Sequence, residues 1–94
     1  MLDRRTYDGR VRTKHVHTLY RVFATPPPAS LRWDEVEVML LACGARLAAG
    51  RGSRVRVELR GVRAVFHRPH PRKDLDRGAV VSLRRFLENA GVRP

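Results

Sequence analysis

The stretch Arg54-Val55-Arg56-Val57-Glu58-Leu59-Arg60-Gly61-Val62-Arg63-Ala64-Val65-Phe66-His67 decides the fold of this chain. From Arg54 to Leu59, charged and apolar residues alternate with a period of two, as in a strand with one buried face. Arg60-Gly61 offers a two-residue turn, with Gly61 able to take positive φ, and Val62 to His67 return as a second strand. A turn of that length sets the register: Leu59 faces Val62, Val57 faces Ala64 and Val55 faces Phe66. That column is entirely apolar and must be the core side. The opposite face pairs Glu58 with Arg63, Arg56 with Val65, and Arg54 with His67. One side of the hairpin is greasy and the other is cationic.

Before the hairpin, Gly50-Arg51-Gly52-Ser53 reads as a tight loop and Ala45 to Ala49 as a short first strand. Further upstream, Trp33, Val36, Leu40 and Cys43 recur at steps of three and four, and Met39 and Leu41 widen the stripe. This predicts a helix starting near Ser30 to Asp34 and stopping at Gly44. Cys43 lies on that stripe and reads as a small hydrophobe, not a nucleophile. An earlier helix opens near Thr13, with Val16, Leu19, Tyr20 and Phe23 on one face, and Pro26, Pro27 and Pro28 stop it. After the hairpin, Pro69 and Pro71 end the strand. A last helix runs from about Arg77 to Ala90, capped by Asp74 or Asp76 and stopped by Gly91. Its buried stripe is Ala79, Val80, Leu83, Phe86, Leu87 and Ala90, with Arg84 and Arg85 on the wet side. The order is helix, helix, three antiparallel strands, helix: a two-layer α+β domain.

Residues 1–12 are polar, charged and without period, and read as a mobile basic arm, leaving residues 13–94 as a single domain. Twenty Lys and Arg stand against nine Asp and Glu, a formal charge of +11. Such an excess draws in polyanions, either nucleic acid or an acidic partner protein. The absence of Ile and Gln beside abundant Ala, Val and Gly resembles GC-rich coding, which raises Arg whatever the function. The net charge is therefore the better witness. The apolar run from Val38 to Ala45 is far short of the roughly 20 residues that span a bilayer. The N-terminus, with Asp3, Arg4 and Arg5, does not read as a signal peptide. Cys43 is the sole cysteine, so the expected compartment is the cytoplasm, with no membrane association.

Among the four histidines, His15 and His17 are two apart on a helix, cannot share a face, and are expected to be exposed and silent. His67 and His70 sit at a strand end in Phe66-His67-Arg68-Pro69-His70-Pro71, amid Arg68, Arg72 and Lys73. They are too few for a structural zinc site, which takes four protein ligands, and no cofactor is expected. Asp34, Glu35, Glu37, Asp74 and Asp76 crowd helix starts, where acids complement the dipole. A histidine beside arginines suits RNA cleavage: the imidazole takes the 2′-OH proton and the guanidiniums hold the phosphate. The derived register puts His67 opposite Arg54, so a base and a clamp share one small face. The plain alternative is a strand-end histidine with no task.

Taken together, Arg32-Trp33-Asp34, Gly50-Arg51-Gly52-Ser53-Arg54, Phe66-His67-Arg68-Pro69-His70-Pro71, Gly78 and Arg84-Arg85-Phe86-Leu87-Glu88-Asn89-Ala90-Gly91 resemble the HicA family of bacterial toxins. The resemblance covers most of the chain from Lys14 onward and rests on the order and spacing of these segments. It implies a fold like the double-stranded-RNA-binding domain. It also implies an mRNA-cleaving toxin of a type II toxin–antitoxin pair, neutralised by a HicB-like antitoxin that covers the basic face. The family's pattern is Gly-Ser-His, with the catalytic histidine on the strand after the glycine loop. Here Gly52-Ser53 is followed by Arg54, whose guanidinium stays protonated and cannot act as a base. Two outcomes follow: His67 or His70 replaces the base, or the protein binds RNA without cutting it. The residues expected to grip RNA are Arg51, Gly52, Ser53, Arg54, Arg56, Arg72, Lys73, Arg84 and Arg85. A third reading, a pure interaction protein for an acidic antitoxin, fits the charge as well.

Overall fold

The computed structural model describes residues 13–28, 30–69 and 73–94. The arm at residues 1–12, and with it His70 and Arg72, lies outside these. Helices α1 (Thr13–Val22) and α2 (Trp33–Ala42) lead into strands β1 (Arg46–Ala49), β2 (Arg54–Leu59) and β3 (Val62–His67), and helix α3 (Arg77–Asn89) closes the chain. The sheet is antiparallel in the order β1-β2-β3. This is the α-β-β-β-α plan of the double-stranded-RNA-binding domain with one extra helix in front.

The hairpin has the register expected of a two-residue turn, from Leu59 opposite Val62 to Arg54 opposite His67. Arg60 and Gly61 both take positive φ, 52° and 83°, which is the turn whose twist matches the flanking strands. A left-handed residue other than glycine is costly. Arg60 offsets that cost by donating from its guanidinium to the carbonyls of Ala90 and Gly91 at 3.4 and 3.3 Å. The turn is thereby tied to the end of α3.

The apolar column is the core. Val55, Val57 and Leu59 are buried, and Phe66 joins them, packed edge-on against Phe86 of α3 with ring centroids 5.8 Å apart. Each such side chain contributes about 1.5–3 kcal/mol by leaving water. β1 adds Leu47 and Ala49 to the same side through its pairing with Val57 and Val55. The helices supply Leu19, Val22, Trp33, Val36, Met39, Leu40, Val80, Leu83 and Leu87. No helix among the described residues is long and apolar enough to cross a membrane.

Local chemistry moves several boundaries from where the pattern puts them. The N-cap of α2 is Arg32, whose backbone N–H donates to the Glu35 carboxylate at 3.3 Å, half of a capping box. Ser30 instead receives the Arg21 guanidinium on its carbonyl and hydroxyl. Helix α3 is capped by Asp76, whose carboxylate accepts from the Ala79 N–H at 2.7 Å. Helices α2 and α3 stop in the same way. The N–H groups of Gly44 and Gly91 turn back to the carbonyls of Leu41 and Glu88, and those of Ala45 and Val92 to Leu40 and Leu87. Ala45 is thus the buried stop of a helix, and the strand begins one residue later. Tyr20 and Leu41, placed on buried stripes by spacing, are 59% and 52% exposed. Leu19 and Val22, joined by Thr18, carry the buried side of α1 instead. His17 is exposed as expected, but His15 is half-buried.

Candidate nucleic-acid interface

All three helices belong to the layer on the apolar side of the sheet, and the other side is open. Three cross-strand rows cross it. The first is Arg54 beside His67; the second is Ala48, Arg56 and Val65; the third is Arg46, Glu58 and Arg63. Every cation of these rows is exposed, while Glu58, the one acid, is half-buried.

The first row brings its two side chains close together. The N–H of Arg68 donates to the carbonyl of Ser53, so Ser53 and Arg68 form a hydrogen-bonded pair. The adjacent pair, Arg54 and His67, is then the non-hydrogen-bonded kind, in which Cα atoms approach to about 4.5 Å and side chains lie side by side. The period of two on both strands brings them to the same face, and the turn length brings them to the same row. An imidazole and a guanidinium so placed offer a proton acceptor and a fixed positive charge to one phosphodiester.

Beside this row lies the glycine loop. The Gly50 N–H donates to the Arg54 carbonyl at 2.8 Å and the Arg54 N–H to Arg51 at 3.1 Å, closing a tight turn. Arg51, Gly52 and Ser53 are exposed on it. Arg51, Gly52, Ser53, Arg54, Arg56 and His67 are therefore contiguous. At the outer edge of β3, His67 also lines a cleft of about 260 Å³ with Pro69, Asp74, Asp76 and Ser82.

Other expected contacts lie elsewhere. Lys73 is exposed just before α3, in a segment whose backbone pairs with that of residues 31–33, its carbonyl accepting from Trp33 at 3.3 Å. Arg85 is exposed on the helical layer, away from the open sheet face. Arg84 is half-buried and committed to the fold. Its guanidinium donates to the carbonyls of Val22 and Ala24 at 3.1 and 2.5 Å and covers the Phe23 ring. It closes the open end of α1 rather than facing solvent. Burial pushes the Cys43 thiol up from its ordinary range, with the Arg60 charge pulling it partly back. That agrees with a packing role, and its sulfur lies 3.8 Å from that of Met39.

Two arginines of the open face, Arg46 and Arg63, were not singled out as RNA contacts by sequence reading. Arg63 was visible as the partner of Glu58 in the hairpin register. Arg46 joins the face only through the pairing of β1 with β2, and its signal is the spacing Arg46-x-Ala48 before a glycine loop.

Residues 33–92 match the family model described as the HicA toxin of bacterial toxin-antitoxin. No curated protein and no solved structure matches.

Proposed function

This chain belongs to the HicA toxin family, and on that premise we propose that it is an mRNA-cleaving endoribonuclease, the toxin of a type II toxin–antitoxin pair acting in the cytoplasm. The observation that carries the reading is the row in which exposed His67 stands beside exposed Arg54 at the mouth of the glycine loop. His67 takes the proton of a ribose 2′-OH, and the 2′-oxygen bonds to the adjacent phosphorus. The bond from phosphorus to the 5′-oxygen of the next nucleotide breaks, and that oxygen takes up a proton from solvent. The products are a 2′,3′-cyclic phosphate and a 5′-hydroxyl. Arg54, with Arg51 and the backbone N–H groups at Gly52 and Ser53, holds the charge that builds on the phosphoryl oxygens. The reaction consumes no cofactor and asks for no metal. Arg56 continues the phosphate contacts along the sheet, while Lys73 and Arg85 add positive field from neighbouring surfaces. A HicB-like antitoxin neutralises the toxin by covering this face, where its acidic groups replace phosphates.

His70 is the alternative base, since it matches a histidine that follows the third strand in many family members. A second reading rests on Arg54 itself, which stands where the family pattern has its histidine: the protein then grips RNA on the same face and does not cut. The test is incubation of the purified, antitoxin-free protein with end-labelled mRNA in EDTA, beside His67→Ala and His70→Ala. The expected result is cleavage to cyclic-phosphate ends that His67→Ala reduces at least a hundredfold, the scale of a lost general base, with the circular dichroism spectrum unchanged. Loss in His70→Ala alone moves the base to His70. Binding without any cutting establishes the second reading.

A further inference from the structure

Four arginines of this chain commit their guanidiniums to the fold. Arg21 holds Ser30 and Glu35; Arg32 holds Asp34 through two hydrogen bonds; Arg60 and Arg84 hold the carbonyl ends of α3 and α1. Each of these lies outside the open sheet face. Those on the face behave differently. Among the described residues, the guanidiniums of Arg46, Arg54, Arg56 and Arg63 make no hydrogen bond or ion pair, although Glu58 is the cross-strand neighbour of both Arg46 and Arg63. Four unpaired, exposed guanidiniums on one face of a three-stranded sheet repel one another. Their summed positive field favours an anion lying over this face.

The face also has a shape. A concavity of about 680 Å³ runs over the second and third rows, lined by Arg46, Ala48, Arg56, Glu58, Arg63 and Val65. That size is within the range of pockets that seat small organic ligands. Its floor is apolar: Ala48 is small and Val65 is 58% exposed. Successive rows are about 6.7 Å apart, two residues along a strand, which is of the order of the phosphate repeat in an extended nucleic-acid strand. Glu58 in the middle of the third row repels a phosphate from the axis of β2 and sends it to the arginine on either side.

We propose that the open sheet face is a track for a single extended RNA strand, which crosses the His67–Arg54 row and continues over Arg56 toward Arg46 and Arg63. This rests on the reading of His67 and Arg54 as the reacting row and adds where the rest of the substrate goes. The chemistry recognised is an unpaired strand: phosphates on the guanidiniums, sugars and base faces over Ala48, Val65 and the planar arginine heads. An RNA duplex is a poorer fit. The helical layer offers a duplex no second basic surface through α2, which carries Asp34, Glu35 and Glu37 and no basic residue.

The track is tested by binding, so it stands or falls whether or not the protein cuts. Arg46→Ala/Arg63→Ala is compared with the wild-type protein for affinity to fluorescent oligouridylates of two to eight nucleotides and to a twelve-base-pair RNA duplex, across a salt series. Wild-type affinity is expected to rise with length to about four nucleotides and then level off, roughly one phosphate per occupied row. The double variant is expected to lose that gain for oligomers longer than three nucleotides while binding a dinucleotide as before. Its salt slope for the single strand should fall by about 0.7, the one phosphate of the third row. Both side chains are exposed, and an unchanged circular dichroism spectrum confirms that the variant folds. An unchanged slope, or a duplex bound as tightly as the single strand, overturns the track and leaves the assignment of His67 standing. If His67→Ala still cuts while the double variant loses long-oligomer affinity, the catalytic reading fails and the track remains.

Discussion

Arg54, His67, Arg60 and Gly61 show how much a single position decides in a chain this short. Arg54 opposes His67 only because the turn between the strands has two residues. One more or one fewer would turn every side chain of β3 to the other face. The turn is therefore a functional residue pair as much as a structural one. A Cβ placed on Gly61 meets nothing within 4 Å, yet φ there is 83°. Gly61→Ala should accordingly destabilise through the backbone alone, by about 1–2 kcal/mol, the cost of an L-residue in the left-handed region. Urea unfolding followed by circular dichroism should show a lower midpoint with an unchanged slope. A midpoint equal to that of the wild type would mean that the register does not depend on this turn.

Among the elements, the helices owe their limits to end chemistry and their faces to the neighbours they meet. In α3 the stripe Val80, Leu83, Phe86 and Leu87 was legible, because a long helix against one sheet buries one continuous side. Its cap is equally local: the Asp76 carboxylate satisfies the Ala79 N–H. Asp76→Ala should cost about 1 kcal/mol, as cap removal does elsewhere, read as a shifted urea midpoint with RNA binding preserved. Asp74→Ala should leave the midpoint in place, since the cap bond belongs to Asp76. Helix α1 was less legible. It has ten residues and packs against both α2 and α3, so its buried side is set by the positions of two partners. Tyr20 is left outside even though its spacing from Val16 and Phe23 is helical. Leu41 is outside for a similar reason, since α2 buries Trp33, Val36, Met39 and Leu40 and needs no wider stripe.

Across the whole molecule, the division of labour between the two layers governs the charge. Cations on the helical layer that reach a helix end are drawn into the fold, and Arg84 is the leading case: its guanidinium supplies donors to carbonyls that α1 cannot satisfy itself. Arg84→Ala should lower stability by about 2 kcal/mol, the scale of hydrogen bonds from a charged group. It should leave the salt dependence of RNA binding unaltered. A reduced salt slope in that variant would return Arg84 to the RNA contacts. The sheet face, by contrast, carries four guanidiniums that have no hydrogen bond or ion pair among the described residues.

The hairpin, its register, the apolar column, the helix order and the opposition of Arg54 and His67 were all determined by the sequence itself. Each depends on nearest neighbours and a period of two or 3.6, and local sterics enforce those periods. The family resemblance was equally legible in the segments that carry it, because they are ordered motifs within one continuous stretch. Tertiary structure alone decided which arginines are free. Arg84 and Arg63 look alike as letters, and only the packing of α3 against the end of α1 consumes one and leaves the other exposed. It also decided that Arg46 faces the same way as Arg56, since the pairing of β1 with β2 depends on how the glycine loop closes. Long-range contacts of this kind carry no period in the sequence, and so the charged face could be counted there but not mapped.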